Sequence, residues 1–306
     1  MHVILGTGPL GRSVMKELQM RGEPYRIVNS SGRYPWTEHI SVEKADLMDV
    51  NQAKSAIAGA SVVYQCVQPP YHKWSSLFER LQENIIEAAK AANAKLVAAE
   101  NMYMYGEAKG EIHEELPYVA ATKKGRIRAK LAERLLDLHR RGELQVVIGR
   151  GSDFYGPGVT NSSAGSMMFR PLVSGKPVSI LGKLDVKHTY TYIEDFGKAL
   201  VTLGQTDNAY GEAWHVPNSK TVTVREFVEL AAQLAGVKAT IKPMGKGMLR
   251  IGGLFMPTAR ESIEMFYQFE KDFVISNRKY TERFGQPATP LDVALAATVE
   301  WYRKQI

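Results

Sequence analysis

The sequence predicts an α/β fold: a doubly wound, mostly parallel sheet, with a smaller α/β lobe formed by the C-terminal half. Three observations predict it. Short apolar runs alternate with helix-period segments through the first half of the chain, the pattern of parallel strands joined by helical crossovers. The runs are nearly continuous in apolar residues, as strands buried on both faces require. A glycine-rich turn joins the first run to the first helix. The 306 residues suffice for one large domain or two coupled ones. The apolar share of 44% against 23% charged places the chain among globular proteins and argues against disorder.

Taken in order, strands are expected at His2–Gly6, Tyr25–Asn29, Ser41–Lys44, Val62–Val67, Lys95–Ala99 and Gln145–Gly149. The intervening segments carry helical stripes: Val14, Met15 and Leu18, then Leu77, Leu81, Ile85 and Ala88–Ala89, then Ile127, Leu131, Leu135 and Leu138. After Gly151 the texture changes. "DFYGPGVTNSSAG" reads as a functional loop, followed by a short helix over "SMMFRPLVSG", strands at "PVSILG" and "HTYTYI", and a helix from Glu194 to about Leu203. Thr223 and Glu226 have capping-box spacing before a helix that ends at Gly236. Thr289-Pro290 opens a last helix, with proline at its first position. There are no repeats or low-complexity linkers.

Gly6, Gly8 and Gly11 give G-x-G-x-x-G between strand and helix, which is the context a dinucleotide loop needs. Gly6 makes the tight turn, Gly8 lets a diphosphate approach the backbone, and Gly11 lets the helix pack on the strand. The helix N-terminus then faces the phosphates. The loop Gly6, Thr7, Gly8, Pro9, Leu10, Gly11 and Arg12 is therefore assigned to the cofactor. At the end of the second strand, an NAD site carries an acid for the adenosine ribose. Here Asn29, Ser30, Ser31 and Arg33 follow, with no carboxylate before Glu38. Hydroxyls and a cation suit a 2′-phosphate, so NADP is preferred and NAD is the alternative.

With these residues in place, the chain resembles the extended short-chain dehydrogenase/reductase superfamily, as an atypical member of its NAD(P)-dependent epimerase/dehydratase group. "ADLMD", with Asp46 and Leu47, resembles that family's adenine-contacting segment. "MYG" at 104–106 matches the end of its fifth-strand motif, "RGSDFYGPG" at 150–158 its loop after the sixth strand, and "HTYTYIEDFGKAL" its later strand and Asp-bearing helix start at Asp195. The resemblance implies a Rossmann-type sheet over 1–158, with 188–217 returning to it, and a substrate-binding lobe from 159–187 and 218–306. It also implies cofactor contacts at Val67 and Glu100. A homodimer through the helices Leu77–Ala92 and Lys123–Arg141 is a family-based expectation.

The chain departs from that pattern where the chemistry should be. Aligned on Tyr105-Gly106, Asn101 stands at the position of the family's Ser or Thr. Anchored on Glu133, Gly125 stands at its catalytic tyrosine and Ala129 at its lysine. Asn101, Tyr103, Tyr105 and Lys123 are the candidate replacements, with Tyr118 just upstream of the helix, and Lys123 or Arg128 as a substitute ribose or phosphate contact. Asp153, Phe154, Tyr155 and His188 are the candidate substrate contacts; a histidine there titrates near neutrality.

Other classes are disfavoured. The net charge of +7 invites a nucleic-acid reading, but no zinc-finger, RNP or basic-zipper pattern accompanies it. The run Lys123, Lys124, Arg126, Arg128 and Lys130 reads as a solvated helix face. No apolar run approaches a membrane span, no leader precedes the first strand, and the single cysteine, Cys66, cannot form an internal disulfide, so a reducing cytoplasm is expected. No metal-ligand spacing or G-x-S-x-G elbow occurs. Two functions remain: a nicotinamide-dependent enzyme acting on a carbonyl or hydroxyl of a small polar metabolite with a relocated acid, or an inactive dinucleotide-sensing regulator that binds a protein partner.

Overall fold

The structure, a computed structural model, describes residues 1–37, 39–253 and 257–305; Glu38, named above, lies outside them. In chain order the first elements are β1 (His2–Leu5), α1 (Pro9–Met20), β2 (Tyr25–Asn29), β3 (Glu43–Lys44), α2 (Val50–Ile57), β4 (Val62–Gln65), α3 (Trp74–Ala91), β5 (Lys95–Glu100), α4 (Lys123–Arg140) and β6 (Val146–Arg150). Then follow α5 (Ser166–Val173), β7 (Val178–Leu181), β8 (Lys187–His188), α6 (Ile193–Gly204), β9 (Ala213–His215), β10 (Val222–Thr223) and α7 (Val224–Leu234). The last are β11 (Ile241–Met244), α8 (Lys246–Gly253), α9 (Pro257–Ser262), α10 (Arg278–Phe284) and α11 (Leu291–Arg303).

The central sheet has seven strands in the order β3-β2-β1-β4-β5-β6-β9, and the pairings from β3 through β6 are all parallel. This is the doubly wound arrangement the strand–helix alternation predicts, with the switch point where β1 lies between β2 and β4. β1, β4 and β6 are buried along their whole length, which is why their sequences are apolar rather than alternating. His2, Gln65 and Arg150 are polar exceptions, all at strand ends.

By packing, the chain divides into two compact units. The first comprises Met1–Met104, Lys124–Arg150 and Phe196–Trp214; the second comprises Tyr105–Lys123, Gly151–Asp195 and His215–Ile306. In the first unit α3 and α4 are joined along their lengths. Gln82 donates a buried hydrogen bond to the Leu131 carbonyl, and Arg134 grips Glu83 with both Nε and Nη2. The second unit has its own core, in which Phe169, Tyr155, Tyr190 and Phe227 pack against Leu295 and Tyr302.

Local details both follow and correct the sequence expectations. Thr223 and Glu226 form the reciprocal capping box at the start of α7. The strand expected at Ser41–Lys44 is regular only over Glu43–Lys44. Of "HTYTYI" only His188 lies in a strand. The rest runs against the 152–155 loop through the Tyr155 N→Thr191 O and Ile193 N→Tyr155 O bonds, without a regular ladder. Pro290 is the N-cap of α11, not its first helical residue, because Thr289 before it is held by Asp195 through both its amide and its hydroxyl. Among the described residues no helix is long and apolar enough to cross a membrane.

Candidate functional site

The glycine loop is shaped by steric demands that only glycine meets. Gly6 has φ +107, and an added Cβ there would lie 3.2 Å from the Cys66 carbonyl. A Cβ on Gly11 would fall 2.0 Å from the Gly6 carbonyl oxygen, so α1 closes onto the turn without a side chain between them. Gly8 is different: its φ of −67 suits any residue, and an added Cβ would meet nothing within 4 Å. Gly8 is exposed, so the backbone at the N-terminus of α1 is open to solvent there. Pro9 starts α1, where its missing N–H costs nothing.

Around this loop the side chains are organised. Asn29 Nδ2 donates to Thr7 Oγ1 at 2.8 Å and to the Arg33 carbonyl, while its Oδ1 accepts from the amides of Ser31 and Gly32. Asn29 therefore builds the 30–33 turn, from which Ser30 and Arg33 project into solvent. Trp36 Nε1 donates to the Thr7 carbonyl, and Arg12 lies 5.1 Å over the Trp36 ring. Asp46 is exposed and Leu47 is buried, with its carbonyl receiving Asn84. Val67, just past β4, is half-buried.

At the C-terminal ends of β5 and β6, Glu100 and Arg150 are register partners, and Arg150 Nε donates to Glu100 Oε2 at 3.1 Å. Both side chains are almost fully buried. Glu100 thus has a partner in place that the sequence reading did not find. Asn101 is half-buried and accepts the Tyr103 amide through Oδ1.

Lys123 is exposed, and its amide donates to Glu264. The buried cations of α4 are its neighbours, Lys124 and Arg128, which are 2% and 5% exposed. They stand one helical turn apart, and so share a face. The Lys124 Nζ lies 4.4 Å over the Tyr71 ring. Arg128 lies 4.4 Å from the Trp74 ring and 4.5 Å from the Phe78 ring, against the corner the two rings make, and donates to Gln68 Oε1 at 2.8 Å. Tyr103 packs beside Trp74 at 6.1 Å. The expectation that this basic run is a solvated face holds for Lys123, Arg126 and Lys130 and fails for Lys124 and Arg128. Aromatic faces and a hydrogen bond replace part of the water those cations give up.

The remaining candidates lie in the second unit. Tyr105 is fully buried, with its hydroxyl 2.9 Å from His215 Nε2. Because His215 Nδ1 faces the Ser276 carbonyl at 2.9 Å, Nδ1 carries the proton and Nε2 accepts from Tyr105. Tyr118 packs edge-on against Tyr105. Asp153 has the left-handed φ of +35, receives Ser163 Oγ at 2.8 Å, and meets His188 Nε2 at 2.5 Å. His188 is fully buried between Phe269 and Phe273, and Tyr155 is fully buried as well, whereas Asp153 and Phe154 are half-buried. Burial raises the Tyr155 phenol well above its ordinary pKa. No group of three or more His, Cys, Asp or Glu able to hold a metal occurs among the described residues.

Comparison with known proteins is consistent across sequence and fold. Residues 3–216 match the family described as NAD dependent epimerase/dehydratase. An uncharacterized UDP-glucose epimerase of Bacillus subtilis (strain 168), YtcB, is 22% identical over 209 residues, spanning 65% of this chain and 66% of that protein, just under two thirds of its length. Among solved structures, the UDP-glucose 4-epimerase of Thermus thermophilus in complex with NAD superposes with a TM-score of 0.80 at 18% identity, covering all of both chains. The dTDP-glucose 4,6-dehydratase of Bacillus anthracis str. Ames in complex with NAD superposes with a TM-score of 0.78 at 17% identity, covering 99% of this chain and 97% of that one. At these identities the structural likeness speaks for the fold.

Proposed function

We propose, from the premise that this chain belongs to the NAD dependent epimerase/dehydratase family, that it binds a nicotinamide dinucleotide on the Gly6–Gly11 loop and moves hydride at a carbonyl or hydroxyl carbon of a small polar metabolite, with sugars and sugar nucleotides the first class to try. The observation that carries this reading is the tight turn from β1 into α1, closed at Gly6 and Gly11 without side chains, with the exposed backbone of Gly8 at the N-terminus of α1. Such a turn lets a diphosphate approach the backbone at the N-terminus of α1.

In this reading the amides at the start of α1 hold the diphosphate, and the 30–33 turn faces the adenosine ribose. Ser30 and Arg33 on that turn, with Arg12 over Trp36, favour a 2′-phosphate and hence NADP over NAD. Asp46 and Leu47 border the adenine. The cofactor when bound supplies or accepts the hydride. The chain must supply the proton. Tyr105 is committed to His215, and the half-buried Tyr103 packs beside Trp74, the ring that Arg128 also lies over. Tyr103 is therefore the assigned acid, with Arg128 in the role of the missing lysine. Asp153 and Phe154 are assigned to the substrate.

A parallel fluorescence titration with NADPH and NADH tests the reading. Saturable binding with NADPH tighter than NADH supports both the loop and the Arg33 assignment. Equal binding removes the NADP preference alone. Binding of neither overturns the enzyme and regulator readings together.

A further inference from the structure

Arg128 is costlier than a ribose contact needs to be. Its guanidinium is taken out of water by Trp74 and Phe78. Glu100, whose carboxylate favours the charged form of Arg128, is already paired with the buried Arg150. The only hydrogen bond Arg128 makes among the described residues is to the neutral amide of Gln68, and its Nε is buried with no partner. Burial pulls its pKa down to about 10, with Glu100 countering only in part. Lys124, one turn away and equally buried, adds a second positive charge to the same face. A buried cation without a full counter-charge costs several kcal/mol, and such an arrangement is expected where a ligand completes it.

We propose that Lys124 and Arg128 form a receiving site for an anionic oxygen group, a carboxylate or phosphate, on the substrate. This deepens the functional reading above, and rests on it only in calling that ligand the substrate. The guanidinium presents Nε and one terminal nitrogen along one edge, the fork that takes two oxygens of an anion. Gln68 Oε1 now occupies one tooth of that fork and Nε is the empty other. Gln68 is exposed and follows β4, so its side chain can swing into water when an anion enters. Trp74 and Phe78 hold the guanidinium plane fixed, which lowers the entropy lost on binding.

The site contains its own reporter, since Trp74 touches the guanidinium. The full chain, with and without NADPH, is titrated with glucuronate, glucose 1-phosphate and glucose while tryptophan emission and calorimetric heat are followed. Saturable binding of glucuronate or glucose 1-phosphate, with none for glucose, is expected; the two anions separate a carboxylate from a phosphate requirement. Trp74→Phe should remove the emission change while the heat of binding persists. Arg128→Gln should weaken anion binding by at least about tenfold. Gln68→Ala should tighten it about threefold by removing the internal competitor, and should lower the melting temperature because Arg128 loses its hydrogen bond. No saturable anion binding in the native chain and in Gln68→Ala, or equal binding in Arg128→Gln, overturns the inference. If NADPH binds and anions do not, the site fails and the functional reading stands. If anions bind and NADPH does not, the site stands and the functional reading falls.

Discussion

Alanine at Gly8 and at Gly11 should separate cofactor binding from folding within one loop. At Gly11 the new Cβ would sit 2.0 Å from the Gly6 carbonyl oxygen, which is backbone and cannot swing aside. Overpacking of this kind costs about 1–3 kcal/mol, and a backbone clash belongs at the upper end. At about 2–4 °C per kcal/mol, Gly11→Ala should lower the melting temperature by about 6–12 °C. At Gly8 the backbone already has an alanine-like φ and the Cβ meets nothing. Reduced freedom of the unfolded chain contributes about 0.4–1 kcal/mol in its favour, and the poorer N-cap takes a comparable amount back. Gly8→Ala should therefore melt within a few degrees of the native chain. Its added methyl group stands where a diphosphate would approach, so NADPH affinity should fall at least about tenfold, or about 1.4 kcal/mol. Thermal scanning and NADPH titration on the same two proteins check both arms. Native-like NADPH affinity in Gly8→Ala would refute the approach of a diphosphate at Gly8, and an unchanged melting point in Gly11→Ala would refute the packing argument.

Three further outcomes follow from contacts described above. Tyr105→Phe should cost about 1–3 kcal/mol in urea unfolding by leaving His215 Nε2 buried without its donor; loss of activity at unchanged stability would instead make Tyr105 the acid. Thr223→Ala should cost about 1 kcal/mol through the lost capping box at α7, measured as a shift in urea midpoint. His2 is buried, and desolvation lowers its pKa below the ordinary 6.5 despite Glu23. The unfolded chain then takes up the proton first, so stability is full above about 6.5 and falls as the pH drops below it. A urea-midpoint series run downward from neutral pH should show this slope, and His2→Gln should flatten it.

What could be read from the sequence depended on whether a residue's type carries its own geometric demand. Gly6 and Gly11 were readable because close backbone approach there excludes every side chain. The capping box was readable because its two members sit at a fixed local spacing. The Glu100–Arg150 pair was not, because it exists only once β5 and β6 adopt their register. Lys124 and Arg128 were hidden for a different reason. The apolar stripe Ile127, Leu131, Leu135 and Leu138 marked the buried side of α4, and charged residues are ordinarily assigned away from it. Tyr71, Trp74 and Phe78 make that side hospitable to cations, and they come from a segment some fifty residues earlier. Anchoring on Glu133 then brought Gly125 and Ala129 into focus, one residue C-terminal to Lys124 and Arg128.

The two packing units also determine how the chain can be taken apart. The backbone changes unit at 104/105, 123/124, 150/151, 195/196 and 214/215, so no single cut releases either unit as a continuous piece. A protein shortened after Arg150 would lack Phe196–Trp214, and with it most of α6 and of the edge strand β9. During synthesis the first unit must wait until Trp214 has left the ribosome before its sheet can close, with a stretch of the second unit already made in between. Isolated-domain expression and limited truncation are thus poor routes to assigning function here, and point substitutions within the whole chain are the practical instrument.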